Sequence, residues 1–322
     1  MTGALLHPFA PPARETWIDI VRGEGASVWD AAGNEYVDAM ASLWYCNAGH
    51  GRAEIADAVD AQLRRLEAYH LFDPFTNGPA EEIAARIAEL SPIDAARVFL
   101  CSSGSEAVDS AMKLARLAHR LDGRPERTVI ITRDRGYHGT NYGGTSAQGL
   151  PPNKEGFGEL LSEVIQVAAD DSESLGRAMR EHEGRVAAVL IEPVQGAAGV
   201  HPPVPGYLDE VRRLCDHHGA FLIFDEVITG FGRLGSWFAA QHFDVVPDLT
   251  TFATGVTSGY QPLGGVIVSP RVHEPLAADP SYVLRHGYTY SGHPAACAAA
   301  IANLDVLERD GLLGEVERIE HA

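Results

Sequence analysis

Short apolar runs alternate with amphipathic stretches along most of the chain, and this alternation predicts the fold class. Each run has the length of a strand and carries few polar residues, which is typical of strands buried on both faces. The runs cover residues 97–101, 127–132, 164–167, 187–192, 220–225, 249–253 and 265–269. Because helical stretches separate the runs, we predict an α/β fold with a mostly parallel sheet. Such sheets bind ligands at the carboxyl ends of their strands, so functional residues are expected just after the runs.

The ends of the chain have their own patterns. Residues 27–30 and 35–38 predict short strands around a turn, in which Gly33 and Asn34 are expected to supply the positive φ angles. Apolar residues at helical spacing predict helices over 52–68 and 79–90, and one helix is predicted from Pro294 to the end of the chain.

Composition and charge disfavour several classes of partner. The 322 residues include 25 Lys and Arg against 44 Asp and Glu, which gives a net charge of −19. We therefore expect neither nucleic acid nor an anionic membrane surface as partner, since both bind basic patches. The apolar runs are too short to span a bilayer, and the start of the chain, Met1 to Pro8, lacks a secretory signal pattern. Four scattered cysteines favour reduced core residues over disulfides or a metal site, so a cytoplasmic location is expected.

The first candidate motif is Ser102-Ser103-Gly104-Ser105-Glu106-Ala107, which lies between a predicted strand and a helix that continues to about Leu121. Small residues let backbone N–H groups converge at a helix N-terminus, and this arrangement binds phosphate, with Gly104 and Ser105 as donors. An ordinary helix cap, with Ser at the N-cap and Glu106 in the first turn, explains the same residues.

Two further motifs follow buried strands. In Arg135-Gly136-Tyr137-His138-Gly139, glycines flank an aromatic ring that can stack on a heteroaromatic cofactor, although a surface turn with an aromatic plug has the same pattern. In the second motif, Phe221-Leu222-Ile223-Phe224-Asp225-Glu226, an apolar strand delivers a carboxylate to the edge of the sheet. A buried carboxylate needs a cation, which a protonated pyridine nitrogen provides; a metal site or a helix cap is the alternative.

Together with Ala253-Thr254-Gly255 and Tyr288-Thr289-Tyr290-Ser291-Gly292-His293-Pro294, these motifs occur in an order that resembles the class III aminotransferases. These are pyridoxal-phosphate (PLP) enzymes of fold type I and include the ω-amino acid and amine transaminases. The resemblance covers essentially the whole chain. It implies a seven-stranded, mostly parallel sheet flanked by helices, with an incomplete small domain. Residues 1–55 would form the N-terminal part of the small domain, and residues 56–322 the large PLP-binding domain that ends in the interdomain helix.

The resemblance also implies roles for individual residues. In the cofactor site, Gly104 and Ser105 match the phosphate-binding turn, Tyr137 the ring stacked on the pyridine with His138 beside it, Val227 the residue on the opposite ring face, and Asp225 the partner of the pyridine nitrogen. Thr289 matches a residue that reaches the phosphate of the neighbouring subunit, which implies a homodimer. Trp44 and Tyr45 resemble the aromatic residues at the substrate entrance, and Glu192 a glutamate near the substrate pocket. No metal is implied.

The chain departs from the family pattern in two places. The family's lysine, which binds PLP covalently and moves protons during the reaction, is replaced by Thr254, while the residues around it match. The only two lysines, Lys113 and Lys154, do not follow predicted strands, so neither is expected to take over this role. The second departure is that the chain ends in what resembles the interdomain helix, before the C-terminal part of the small domain.

The expected function is therefore that of a PLP-dependent aminotransferase, acting with PLP or its amine form, pyridoxamine phosphate (PMP). It would transfer an amino group between an amine or ω-amino acid and a keto acid, and Thr254 would impair this activity. Two alternatives remain open: a homologue that binds PLP or PMP without catalysis, and another fold-type I reaction such as that of an aminomutase.

Overall fold

The computed structural model describes residues 4–321, which form an α/β fold with two sheets. Residues 1–3, which belong to the segment assessed above for a secretory signal, lie outside the described residues. The strands are β1 Ile20–Glu24, β2 Ser27–Asp30, β3 Glu35–Val37, β4 Arg97–Cys101, β5 Val129–Arg133, β6 Val164–Val167, β7 Val186–Ile191, β8 Phe221–Asp225, β9 Leu249–Phe252 and β10 Gly264–Val268.

Helices flank the larger sheet, and two helices are the last elements along the chain. They are α1 Ala41–Trp44, α2 Ala53–Arg65, α3 Gly78–Leu90, α4 Gly104–Leu121, α5 Tyr142–Ala147, α6 Ser172–Glu181, α7 Tyr207–His218, α8 Ala239–His242, α9 Pro270–Ala277, α10 Pro294–Arg309 and α11 Leu312–Glu320. Two short 3₁₀ turns span Pro151–Asn153 and Thr254–Thr257. Within residues 4–321, no helix has both the length and the apolar character needed to cross a membrane.

The predicted seven-stranded sheet is confirmed, with strand ends shifted by at most two residues. Its strand order is β4-β10-β9-β8-β7-β5-β6, and only β10 runs antiparallel to its neighbours. Alternate residues of β7 pack on opposite faces, because Ala188 and Leu190 belong to one core cluster and Val189 and Ile191 to the other. Burial of both faces explains why the central strands have continuous apolar sequences. The carboxyl ends of β4, β5, β7, β8 and β9 therefore share one edge of the sheet.

The small N-terminal sheet contains β1, β2 and β3 in antiparallel order. The expectation that Gly33 and Asn34 both adopt positive φ angles is wrong, because only Gly33 does so, with φ 86°. The turn is instead organised by Asp30, whose Oδ1 accepts hydrogen bonds from the backbone N–H groups of Ala32 at 3.0 Å and Asn34 at 2.8 Å. The Asn34 side chain also donates to Asp30 Oδ2 at 2.9 Å, and this bond, followed by the backbone bond from Asn34, lowers the pKa of Asp30.

The prediction of one C-terminal helix is also wrong. Helix α10 ends at Arg309 and α11 begins at Leu312, and Gly311 between them has φ 62°. A glycine in this left-handed conformation commonly ends a helix, because it lacks the Cβ that would be strained there. The last segment therefore turns and packs back, with Leu313 close to Gly232.

Candidate active site

Loops that follow β4, β8 and β9 lie in contact at the shared edge of the sheet. A Cβ placed on Gly104, after β4, would lie 3.0 and 3.1 Å from the two γ-carbons of Val227, after β8. The same position lies 3.6 Å from the Cβ of Ala253, after β9. Only a residue without a side chain fits here without displacing its neighbours, so glycine at 104 allows the three loops to meet.

The beginning of α4 combines both interpretations of the Ser-Gly motif. The Ser103 hydroxyl accepts a hydrogen bond from Glu106 N at 3.2 Å, and the Glu106 carboxylate accepts one from Ser102 N at 2.8 Å. The helix cap is therefore present. Within residues 4–321, no acceptor lies at hydrogen-bonding distance from the backbone N–H groups of Gly104 and Ser105. Such groups in a first helical turn can donate to a phosphate.

The loop after β5 packs directly on this turn. The Ser105 hydroxyl accepts a hydrogen bond from Thr140 N at 2.9 Å. Gly139 has φ 86°, and a Cβ at this position would lie 2.7 Å from the Ser105 Cα and 2.6 Å from its Oγ. The loop that carries Tyr137 and His138 is therefore fixed against the Gly104–Ser105 turn by both backbone conformation and close packing.

Asp225 lies at the end of β8 and is 4% exposed. Its Oδ2 accepts a hydrogen bond from His138 Nδ1 at 2.8 Å, and its Oδ1 accepts from the Thr251 hydroxyl at 2.9 Å and from Val227 N at 3.3 Å. None of these partners is a lysine or an arginine. A buried carboxylate with such surroundings favours a cationic ligand.

Of the two alternatives for the Asp225-Glu226 pair, the metal site is not supported. Among the described residues 4–321, no group of His, Cys, Asp or Glu has the arrangement of a metal site. Glu226 points elsewhere and accepts hydrogen bonds from the backbone N–H groups of Ala239 and Ala240 and from the Thr229 hydroxyl. Its complete burial raises the pKa to about 7. Glu226 thus has the helix-capping role, for α8, and Asp225 does not.

Glu192 follows β7 and is also 4% exposed. Its Oε1 accepts from Tyr137 N at 2.8 Å and its Oε2 from Gly196 N at 3.0 Å, so both oxygens are occupied by backbone groups. Tyr137 is half-buried, and burial, followed by the charges of Asp225 and Glu192, raises the pKa of its hydroxyl. The place of Glu192 near the substrate pocket stays a prediction, since each oxygen keeps a further lone pair.

Thr254 begins the 3₁₀ turn after β9 and is half-buried. Its carbonyl accepts a hydrogen bond from Gly259 N at 3.1 Å, which closes the turn. The two lysines are engaged in other parts of the chain. The Nζ of Lys113 lies 3.0 Å from His286 Nδ1, and the Nζ of Lys154 donates to the Ser146 carbonyl at 3.1 Å.

Three further predicted residues are Trp44 and Tyr45, expected at the substrate entrance, and Thr289, expected to reach a partner subunit. The ring of Tyr45 packs on Gly259, one turn beyond Thr254, and the carbonyl of Trp44 accepts from Arg233 Nη2 at 3.0 Å. Thr289 is exposed, and the neighbouring Tyr288 hydroxyl donates to the Glu106 carbonyl at 3.2 Å. The structure therefore brings Gly104, Ser105, Tyr137, His138, Asp225 and Val227 together, whereas Thr289 points to solvent within the single chain.

Thr251 was not among the predicted site residues. It lies on β9 directly opposite Asp225 on β8, and its hydroxyl orients the carboxylate. The only sequence signal is a threonine within an apolar strand, which is common in any sheet. Strand order and register were needed to identify it.

The residues at this edge fit PLP. The backbone N–H groups of Gly104 and Ser105, which have no acceptor in the described part of the chain, suit its phosphate, and the buried Asp225 suits its ring nitrogen when that nitrogen is protonated. Val227 packs at Gly104, and the Tyr137 hydroxyl lies close enough to Asp225 for its charge to raise the Tyr137 pKa, so these residues can supply an aliphatic and an aromatic surface to the ring. The side chain of Thr254 offers a hydroxyl where covalent attachment requires an amine.

Comparison with known proteins agrees with this fit. The aminotransferase class-III family model matches residues 9–322. The β-alanine–pyruvate aminotransferase of Pseudomonas aeruginosa is 40% identical over 316 residues, which cover 91% of this chain and 70% of the relative. The crystal structure of an (S)-enantioselective ω-transaminase from Thermomicrobium roseum has a TM-score of 0.92 at 42% identity, with 96% of this chain and 73% of that one covered.

A third similar protein bears on the cofactor. An amine transaminase from an uncultivated Pseudomonas species, solved in its PLP-bound form, has a TM-score of 0.91 at 36% identity, with 97% of this chain and 76% of that one covered. The fold, the site and these relatives lead to one conclusion. The chain belongs to the class III aminotransferase family, whose members use PLP to transfer amino groups between amines and keto acids.

Proposed function

We propose that this chain binds PLP or PMP reversibly in the cleft between the Gly104–Ser105 turn and Asp225, and that Thr254 leaves the cofactor without a covalent link. The observation that carries the proposal is the buried carboxylate of Asp225, whose hydrogen-bond partners within residues 4–321 are His138, Thr251 and Val227, with no lysine or arginine among them. It lies in the same group of packed loops as the two unpaired amides of α4.

Each residue of the cleft then has a chemical role. When bound, PLP supplies an electron sink for the bonds at the carbon that carries the amino group. Asp225, oriented by His138 and Thr251, would hold the proton on the ring nitrogen, which strengthens that sink. The amides of Gly104 and Ser105 would bind the phosphate, and Tyr137 and Val227 would fix the ring plane and exclude water.

Thr254 removes the two contributions that a lysine makes at this position. A hydroxyl cannot attach PLP through an imine bond, and it is a poor general base near neutral pH. The loss of general acid–base assistance alone lowers a rate about 10²- to 10⁴-fold. We therefore propose that this chain retains cofactor binding and has an impaired aminotransferase activity.

The substrates of the relatives suggest the substrate class. Small amines or ω-amino acids and a keto acid fit the family, and Trp44 and Tyr45 would line the entrance beside the Thr254 turn. We further propose that residues 1–55 belong to the small domain and residues 56–322 to the large domain. Thr289, which is exposed in the single chain, would reach the phosphate in a second copy of a homodimer.

The test of the proposal is the Thr254→Lys variant. The unmutated chain should take up PLP and lose it on dialysis, and borohydride should leave no cofactor attached after gel filtration under denaturing conditions. Thr254→Lys should retain one cofactor per chain after the same treatment, and peptide mapping should locate it at residue 254. Thr254→Ala, which offers no amine either, serves as the matched control and should behave like the unmutated chain.

Two outcomes would contradict the proposal. Reduced cofactor on Lys113 or Lys154 of the unmutated chain would show that another lysine reaches the cleft. Failure of both the unmutated chain and Thr254→Lys to bind PLP or PMP, with the fold intact by circular dichroism, would refute the assignment of the cleft itself.

A further inference from the structure

We propose that Glu192 is a positioning residue whose single carboxylate couples the loop of Tyr137 to the loop of Gly196, and so sets the cofactor cleft. The coupling itself is a property of the chain without cofactor. Its consequence for PLP rests on the function proposed above.

The geometry of Glu192 is that of a bridge between loops. Its two oxygens accept from two backbone N–H groups that lie far apart in sequence, Tyr137 N at 2.8 Å and Gly196 N at 3.0 Å. The backbone of Glu192 is fixed as well, because it directly follows β7 and its carbonyl accepts from the guanidinium of the buried Arg133. A rigid carboxylate can thus hold both loops at defined positions.

Each loop connects Glu192 to residues of the cleft. Tyr137 is followed by His138, which donates to Asp225, so Glu192 and Asp225 hold two consecutive residues of one loop. On the other side, a Cβ on Gly196 would lie 2.6 Å from Cδ1 of Ile228, the residue after Val227. Displacement of either loop therefore changes the position of a side chain proposed to face the cofactor ring.

The charge of Glu192 makes this bridge sensitive to pH. The pKa of Glu192 is raised to about 7, chiefly by burial and with a smaller contribution from the charge of Asp225, while His138 and the two backbone donors oppose this rise. The titratable and charged groups around the carboxyl group are His138, Asp225 and Tyr137, with Arg133 at its backbone carbonyl. When the pH falls through this raised pKa, one oxygen takes up a proton and becomes a weaker acceptor, so one loop loses part of its attachment.

The experiment is residue-resolved hydrogen exchange of the chain without cofactor between pH 6 and 8.5, corrected for the intrinsic pH dependence of exchange. The protection of the Tyr137 and Gly196 amides, taken together, should fall about tenfold as the pH falls through about 7. The reason is that protonation removes the charge of Glu192, and a hydrogen bond to a charged group is stronger than one to a neutral group. In Glu192→Gln the side-chain NH₂ faces one of the two backbone donors. Protection should then be low in that loop at every pH, and the step near pH 7 should disappear.

Glu226→Gln is the matched control. Glu226 is also buried, its pKa is likewise raised to about 7, and it accepts from two backbone N–H groups, but these belong to Ala239 and Ala240. This variant should reduce protection at α8 and leave the pH step at Tyr137 and Gly196 unchanged. A step that persists in Glu192→Gln, or one that disappears equally in Glu226→Gln, would overturn the proposal. The absence of any step in the unmutated chain would also overturn the proposal, and this measurement does not depend on the folding of a variant.

A second measurement separates this inference from the proposed function. PLP titration, followed by tryptophan fluorescence, should show weaker binding to Glu192→Gln than to Glu226→Gln at pH 8. If the exchange results hold but the unmutated chain binds no PLP, the coupling by Glu192 is supported and the assignment of the cleft is refuted.

Discussion

Gly139 offers a direct test of the packing that joins the Tyr137 loop to the Gly104–Ser105 turn. In Gly139→Ala, the added Cβ would lie 2.7 Å from the Ser105 Cα, which is a backbone atom and cannot rotate away. One of the two loops must move. The hydrogen bond from Thr140 N to the Ser105 hydroxyl, now 2.9 Å, is expected to lengthen or break.

Two terms contribute to the expected cost. The φ of 86° at Gly139 disfavours any residue with a Cβ, by roughly 1–2 kcal/mol. The close contact with Ser105 adds the cost of overpacking, about 1–3 kcal/mol. Gly139→Ala should therefore lower the free energy of unfolding by about 2–5 kcal/mol.

Gly33→Ala separates these terms. Gly33 has the same φ of 86°, but no atom lies within 4 Å of the added Cβ. This variant should lose only the conformational term, about 1–2 kcal/mol. Urea unfolding followed by circular dichroism gives both values, and PLP titration should show weaker binding in Gly139→Ala alone. Equal destabilisation of the two variants, with equal PLP affinity, would refute the inferred contact between the loops.

Two other predictions concern the cofactor and the partner chain. Asp225→Asn keeps the size of the side chain but removes its charge, so PLP affinity should fall about ten- to a hundredfold; Asp171→Asn, at the N-cap of α6, should leave the affinity unchanged, and equal loss in both would contradict the role of Asp225. Analytical ultracentrifugation at micromolar concentration should find a dimer, and Thr289→Ala should weaken PLP binding in it without unfolding the chain. A monomer that binds PLP as tightly as the dimer would count against shared sites.

The sequence predicted the large sheet well because its central strands are buried on both faces. Continuous apolar runs such as Phe221 to Phe224 have few alternative structures, and a carboxylate directly after one identifies the edge where ligands bind. The same reasoning placed Gly104, Tyr137 and Asp225 at one edge. The hydrogen bonds and packing contacts that join their loops agree with this placement.

The predictions that were wrong or missing have local causes, which the pattern of apolar residues does not show. The break between α10 and α11 depends on one glycine, Gly311, within a sequence that otherwise continues the helical spacing. The turn at Gly33 is held by backbone hydrogen bonds to the side chain of Asp30, and it contains one positive φ angle where two were expected. The contacts of Thr251 and Glu192 depend on strand register and on loops distant in sequence, which only the folded chain brings together.

The surroundings of Thr254 explain why binding and covalent attachment can be separated in this fold. The turn is held by bonds that do not involve the side chain at 254, because the Asn303 amide donates to the Gly255 carbonyl at 3.2 Å and to the Val256 carbonyl at 2.9 Å. The Asn303 side-chain oxygen also accepts from the Ser258 hydroxyl at 2.7 Å. A change of residue 254 therefore leaves the turn, Asp225 and the α4 amides in place. Since these groups would bind the cofactor without a covalent bond, the loss of lysine is expected to abolish the covalent link while affinity persists.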